Sequence, residues 1–144
     1  MSKILVVDDD FTQRDLYADL FTSAGFEVTT ADDGQDALEK SATHHPDLLF
    51  TGISMPRLTG FELIEKLRSN KIMESLPVVI FSHLNRDTDR QQARTLPNVQ
   101  FKVQGYDSPA EILKSVRETL ETRFRGYVAP IPSDDDDRPP GITL

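Results

Sequence analysis

The chain has 144 residues, 38% hydrophobic and 28% charged, with a net charge of −8 and no cysteine. This length holds one domain with a substantial core but is short for two, and the composition is that of a soluble globular protein. Asp134 to Asp137 with Arg138 contribute −3 of the charge and the remainder −5, which argues against nucleic-acid binding because that needs a basic face; without cysteine there are no disulfides, thiol nucleophiles or thiolate metal ligands.

The opening MSKILVVDDD has four consecutive apolar residues before three aspartates, too few for a signal peptide's apolar segment or a membrane span. A cytoplasmic protein without membrane contact is the expectation. KILVV reads as a first strand, and Asp10 as the cap of a helix with Gln13 three residues on. Leu16, Tyr17, Leu20 and Phe21 line one face of that helix before Gly25 stops it. FEVTT, DLLFT, PVVIF and NVQFKV are further strand-like runs, separated by segments with spacing near 3.6 residues. Gly60 to Asn70 presents Phe61, Leu63, Ile64 and Leu67 in a helix, and another is expected near Asn85 to Leu96. The last begins at Ser108 and Pro109, a cap followed by proline, and buries Ile112, Leu113, Val116 and Leu120. From residue 126 the sequence GYVAPIPSDDDDRPPGITL is rich in proline and aspartate and lacks periodicity. The expected organisation is a domain at 1–125 followed by a flexible tail at 126–144.

Strands alternating with helices imply right-handed crossovers and a parallel sheet covered on both faces. The natural solution is an α/β, flavodoxin-like (βα)5 doubly wound sheet with strand order 2-1-3-4-5. Ligands of such sheets bind outside the carboxyl ends of the strands where the order reverses, here beside the first and third strands. Asp8, Asp9 and Gly52 converge there. The two aspartates are hard oxygen ligands suited to Mg²⁺; the alternative is that one caps the helix and the other is solvated. Gly52, in FTGISMPRLTG, gives up packing at a strand end, which marks a bend or a close approach.

The stretches ILVVDDD, PDLLFTGISMPRLTGFELIEKLR, LPVVIFSH and VQFKVQGYDSPAEIL, in this order and spacing, resemble the receiver domains of bacterial two-component response regulators, with CheY-like fold, over residues 3 to about 123. The resemblance implies that Asp8 and Asp9 match the family's Mg²⁺-holding pair. It also implies that Gly52 falls where the family has the aspartate that accepts a phosphoryl group from a histidine kinase. Ser82 matches the hydroxyl that follows the phosphoryl group, and Phe101 the aromatic switch position. The family's lysine, followed by proline, falls on Gln104 and Gly105.

Glycine has no atom to accept a phosphoryl group, so the expected phosphoacceptor position is non-functional. Thr51 points to the opposite face because strand side chains alternate, Ser54 lies in the loop, and Asp47 is at the strand's start. Lys102 shares the face of Gln104, but two residues of rise put it about 6–7 Å away. Losing both an aspartate and a lysine leaves the formal charge of the site at −2, whereas losing either alone would unbalance it. With two carboxylates remaining, Mg²⁺ binding is expected to be weak at best.

His83 follows the switch hydroxyl where the family usually has a small residue. It either fills the space left by the missing carboxylate, in which case Asp8 and Asp9 make a pH-sensitive contact with it, or lies outward at a loop start. His44 and His45 carry no assigned role. Arg86, Arg90 and Arg94, at intervals of four, form a basic stripe on the fourth helix. The stripe is either a solvated face paired with Asp87 and Asp89 or a partner face for an acidic segment, the chain's own Asp134 to Asp137 among the candidates.

The reading that results is a stand-alone, non-enzymatic pseudo-receiver acting by phosphorylation-independent protein–protein interaction. Its partner is expected to be a histidine kinase or another signalling protein, and homodimerisation is left open. The alternative is a phosphorelay regulator using another acceptor or docking a kinase without phosphoryl transfer. A haloacid-dehalogenase-like phosphatase, faintly suggested by Asp8-x-Asp10 and Thr12, would need a later lysine, more acidic residues and a larger chain. A flavodoxin-type nucleotide site is weaker still, because DDDFTQR lacks a phosphate-cradling glycine loop.

Overall fold

The computed structural model describes residues 1–71 and 73–124; the expected tail at 126–144, with its aspartate run, lies outside the described residues. Five strands, β1 (Lys3–Val7), β2 (Glu27–Ala31), β3 (Leu48–Thr51), β4 (Val78–Ser82) and β5 (Val99–Val103), alternate with five helices. These are α1 (Phe11–Ser23), α2 (Gly34–His44), α3 (Gly60–Arg68), α4 (Asp87–Arg94) and α5 (Pro109–Phe124). All strand pairs are parallel, in the order β2-β1-β3-β4-β5, which is the flavodoxin-like arrangement. The central β1, β3 and β4 are near-continuous runs of Val, Leu, Ile and Phe because both of their faces are covered.

Side chains alternating along the strands divide the core into two layers. Leu5, Val7, Leu49, Val78, Ile80 and Phe101 pack with Ala37 of α2, Leu63, Ile64 and Leu67 of α3 and Ala93 of α4. Ile4, Val6, Phe50, Val79 and Phe81 pack with Tyr17 and Phe21 of α1 and Ile112, Val116 and Leu120 of α5. In this second layer Tyr17, Phe21, Phe50 and Phe81 form an aromatic group, with the Tyr17 and Phe81 ring centroids 4.9 Å apart.

Three local expectations need correction. Leu16 does not join the buried face of α1 but is 47% exposed; Tyr17 and Phe21, four residues apart, centre the face, and Leu16 is rotated about 100° from Tyr17. Leu113 of α5 is only partly buried. Helix α4 is eight residues long, starting at Asp87 with Arg86 as its cap position and no side-chain cap bond. Its sequence DTDRQQAR offers only Ala93 to the core, so little holds a longer helix there.

The helices next to the strand ends are firmly started. Asp10 caps α1 by accepting the Thr12 and Gln13 N–H groups. Thr59 and Glu62 form a reciprocal capping box on α3, and Ser108 and Glu111 do the same on α5. At the opposite end of the sheet Arg68 donates to the carbonyls of Leu76 and Pro97 at 2.6 and 2.8 Å, tying together the loops before β4 and β5.

The first residue of α3 must be glycine. A Cβ on Gly60 would stand 2.1 Å from the Gly52 carbonyl oxygen and 3.2 Å from the Ile53 Cα, both backbone atoms that no rotamer change moves. Gly60→Ala is expected to lower unfolding free energy by about 1–3 kcal/mol, the cost typical of forcing a methyl group into a packed region, read as a lower urea midpoint at unchanged m-value.

Candidate functional site

The carboxyl ends of β1, β3, β4 and β5 meet on one side of the sheet, and three aspartates leave β1 there with three different roles. Asp8 turns inward and is 6% exposed, its Oδ1 accepting the Asp10 N–H at 3.0 Å. Asp9 is exposed. Asp10 faces α1 as its cap. Arg14, one turn into α1, donates to the Asp8 backbone carbonyl at 3.1 Å and so leaves the carboxylate alone.

Gly52 directly follows β3, its N–H bonded to the Val7 carbonyl at 3.0 Å. A side chain there would project at Asp8: an ideal Cβ lies 3.7–3.8 Å from the Asp8 carboxyl atoms, and these are its nearest neighbours. That is ordinary contact, so the glycine is not demanded by crowding at its own Cα. Gly52 and Asp8 are therefore side by side, whereas Asp9 is exposed. Thr51 points away, fully buried, with its hydroxyl on the Gly52 carbonyl and the Met55 sulfur, and Asp47 accepts the Lys3 N–H at the far end of the sheet.

His83 does not fill the space beside Gly52. It is exposed, and its Nδ1 lies 2.5 Å from Gln104 Oε1, a contact made when an Nδ1–H donates to the amide carbonyl. The register explains it: Ser82 and Val103 are paired across β4 and β5, so the next residues of both strands emerge side by side. Ser82 is buried and its hydroxyl is engaged in its own turn, donating to the Leu84 carbonyl at 2.6 Å and accepting the Leu84 N–H at 3.0 Å. Lys102 stands near Glu111 at the start of α5, helping hold that carboxyl below its usual range after the Ser108 bonds.

Phe101 is 3% exposed in the layer under α4, with the Arg90 guanidinium 5.0 Å from its ring centroid. The basic stripe is accordingly not free. Arg86 pairs with Asp89 at 3.1 Å, Arg90 lies over Phe101 and bonds Asn85, and Arg94 is also engaged. Sequence reasoning missed a bidentate pair, Arg57 to Asp33, with both N–O distances 2.9 Å. It joins the β3–α3 loop to the start of α2, and Arg57 stands at φ 69°. Nothing in the local sequence signals this pair, because its partners are 24 residues apart.

This geometry has close counterparts. Residues 4–117 match the response regulator receiver domain. The chain belongs to the response regulator receiver family. It is 33% identical over 115 residues to the protein PilG of Pseudomonas aeruginosa, covering 80% of this chain and 84% of that protein. It is 31% identical to the alkaline phosphatase synthesis transcriptional regulatory protein PhoP of Bacillus subtilis, of which it spans 48%. Among solved structures it resembles the chemotaxis protein CheY4 of Vibrio cholerae, with a TM-score of 0.75 at 27% identity, covering 82% of this chain and 98% of that one. The expected receiver fold and the signalling class are thereby established.

The carboxylates that would hold a Mg²⁺ here are those of Asp8 and Asp9. Among the described residues no three His, Cys, Asp or Glu side chains stand close enough to hold a metal ion, and one of the two Asp8 oxygens is already committed to a backbone N–H. Burial instead lifts the Asp8 carboxyl above its ordinary range, opposed by the Asp10 N–H and by His83. Asp33 is moved the other way, downward, chiefly by its bond from Arg57.

A raised pKa in the folded state means that folding is penalised above it, where Asp8 must ionise while buried. The penalty fades as pH falls through the folded value toward that of the unfolded chain. Asp8→Asn, which keeps an acceptor for the Asp10 N–H, is expected to raise Tm at neutral pH. The gain over wild type should shrink to nothing as pH falls below the ordinary aspartate range, as followed by circular dichroism melts across pH.

Proposed function

We propose that this receiver is a cytoplasmic signalling module that acts through protein–protein contacts without being phosphorylated, and that it is not an enzyme. The observation that carries the reading is Gly52, which stands beside Asp8 at the end of β3, where a Cβ would meet only ordinary contacts, and has no atom able to take a phosphoryl group. The neighbouring groups support it. Gln104 replaces a lysine and is occupied by His83, the Ser82 hydroxyl is used within its own turn, and Phe101 is held beneath Arg90. Each is engaged by the chain itself. The partner class this implies is a histidine kinase or another signalling protein.

The test is phosphorylation by acetyl phosphate with Mg²⁺, followed by intact mass and by amide shifts of Ser82 and Phe101, with beryllofluoride as a parallel probe. Wild type is expected to give no adduct and no shifts. Gly52→Asp combined with Gln104→Lys is expected to give an adduct at residue 52, because the added Cβ meets only ordinary contacts. A wild-type adduct mapping to any residue would overturn the reading.

A further inference from the structure

Asp33 and Gly34, at the turn from β2 into α2, form the one Asp-Gly step in the chain. Such a step is a covalent weak point. The amide nitrogen of the glycine can bond to the aspartate Cγ, because glycine has no side chain to obstruct the approach. The amide hydrogen and the carboxyl hydroxyl leave together as water, and a five-membered cyclic imide results. Water then re-opens the ring. When it breaks the bond between the nitrogen and the α-carbonyl, the main chain is left running through the former side chain. The product, isoaspartate, has the original mass, and its formation needs no oxidant or reductant.

Packing rules out the simplest protection, a side chain at residue 34. A Cβ there would stand 2.3 Å from the Leu58 carbonyl oxygen and 2.5 Å from the Leu58 Cβ. Control therefore falls to the Asp33 side. Arg57 donates to both Asp33 carboxylate oxygens at 2.9 Å, and the Asp36 N–H donates to Oδ1 at 2.8 Å, so the carboxylate is pinned away from the Gly34 nitrogen. The same bonds, that of Arg57 foremost, hold the carboxyl below its usual range and so in the ionised form, which has no hydroxyl to lose. The backbone adds a third obstacle. Asp33 stands at ψ 174°, whereas the imide ring eclipses Cβ and the glycine nitrogen about the Cα–C bond, an arrangement that tetrahedral geometry at Cα excludes at an extended ψ.

We propose that the Asp33–Gly34 step is a latent modification site, convertible to isoaspartate, and that Arg57 guards it by clamping the Asp33 carboxylate from the β3–α3 loop. The inference is independent of whether the receiver is phosphorylated. Isomerisation puts one additional methylene into the main chain at the start of α2 and moves the carboxylate onto Cα. The bond to the Asp36 N–H and the fork to Arg57 then lose their present geometry, and α2 loses its tie to the β3–α3 loop. The clamp is open to solvent on one side, the Arg57 side chain being 58% exposed against 15% for Asp33, so any group that draws the guanidinium away uncovers the site.

The test ages the full chain at physiological temperature and neutral pH, counts isoaspartate by enzymatic methylation with an isoaspartyl methyltransferase, and locates it by peptide mapping. Arg57→Asn removes the fork, while asparagine tolerates the left-handed backbone at φ 69°. Isoaspartate at residue 33 is expected to accumulate about fivefold faster in this variant than in wild type, the upper end for an exposed ion pair. Arg57→Lys, which keeps the charge without the fork, is expected to fall between the two. Ile112→Val weakens the opposite core layer and is expected to leave the rate at its wild-type value, separating loss of the clamp from general loss of stability. The wild-type chain unfolded in guanidinium chloride is expected to isomerise fastest of all. Equal rates in folded wild type and Arg57→Asn, or acceleration by Ile112→Val matching that of Arg57→Asn, would overturn the guarding role. No isoaspartate at residue 33 even in the unfolded chain would overturn the site itself.

Discussion

A parallel sheet has to be covered on both faces, because each strand returns to the same end through a helix that packs on one side or the other. Every strand of this protein therefore delivers its carboxyl end to one edge of the domain, and that edge is left open by the helices that begin there. The two core layers, with the aromatic group on one side and the aliphatic helices α2 and α3 on the other, fix the strands closely enough that Asp8 and Gly52 face one another across β1 and β3. The chemistry at the edge is a consequence of the covering.

Packing around Gly52 is close on the side of its carbonyl and ordinary on the side a Cβ would occupy. The Gly52 carbonyl lies so near Gly60 that the start of α3 has no room for a side chain. Gly34 at the start of α2 is in a similar position against Leu58, and the pair of Arg57 with Asp33 fastens the same loop from outside. The loop following β3 is thus held from three directions, whereas the nearest atoms to a Cβ on Gly52 are those of the Asp8 carboxyl at ordinary contact distance.

Most of this architecture was legible in the sequence. The strands were found within a residue of their ends because four or five consecutive β-branched and apolar residues, bounded by Asp, Gly and Pro, leave few alternatives. The place of Asp8 and Gly52 at the same end of the sheet followed from the strand order, but not that Asp8 alone turns inward while Asp9 is exposed and Asp10 caps α1. What was not legible depends on side chains meeting across long separations. His83 was expected either inside or outside, and its attachment to Gln104 follows from register between β4 and β5, which periodicity does not report. The three arginines at intervals of four left open a solvated face paired with Asp87 and Asp89 or a partner face; the Arg86–Asp89 pair was within the first reading, but the spacing says nothing about the ring of Phe101 below Arg90. Leu16 misled because a helical wheel fixes relative angles between residues and leaves the absolute orientation to the partners in the core.

The shortness of α4 has a bearing on how the molecule breathes. With one buried residue, no side-chain cap and its main attachment a guanidinium resting on a ring, this helix is the least secured of the segments beside the sheet. Segments with so few buried contacts are those that open locally at low free-energy cost, while central strands such as β1, β3 and β4 open only with the whole domain. An opening confined to this flank would leave the β1–β3 pairing, and with it the spacing of Asp8 and Gly52, in place.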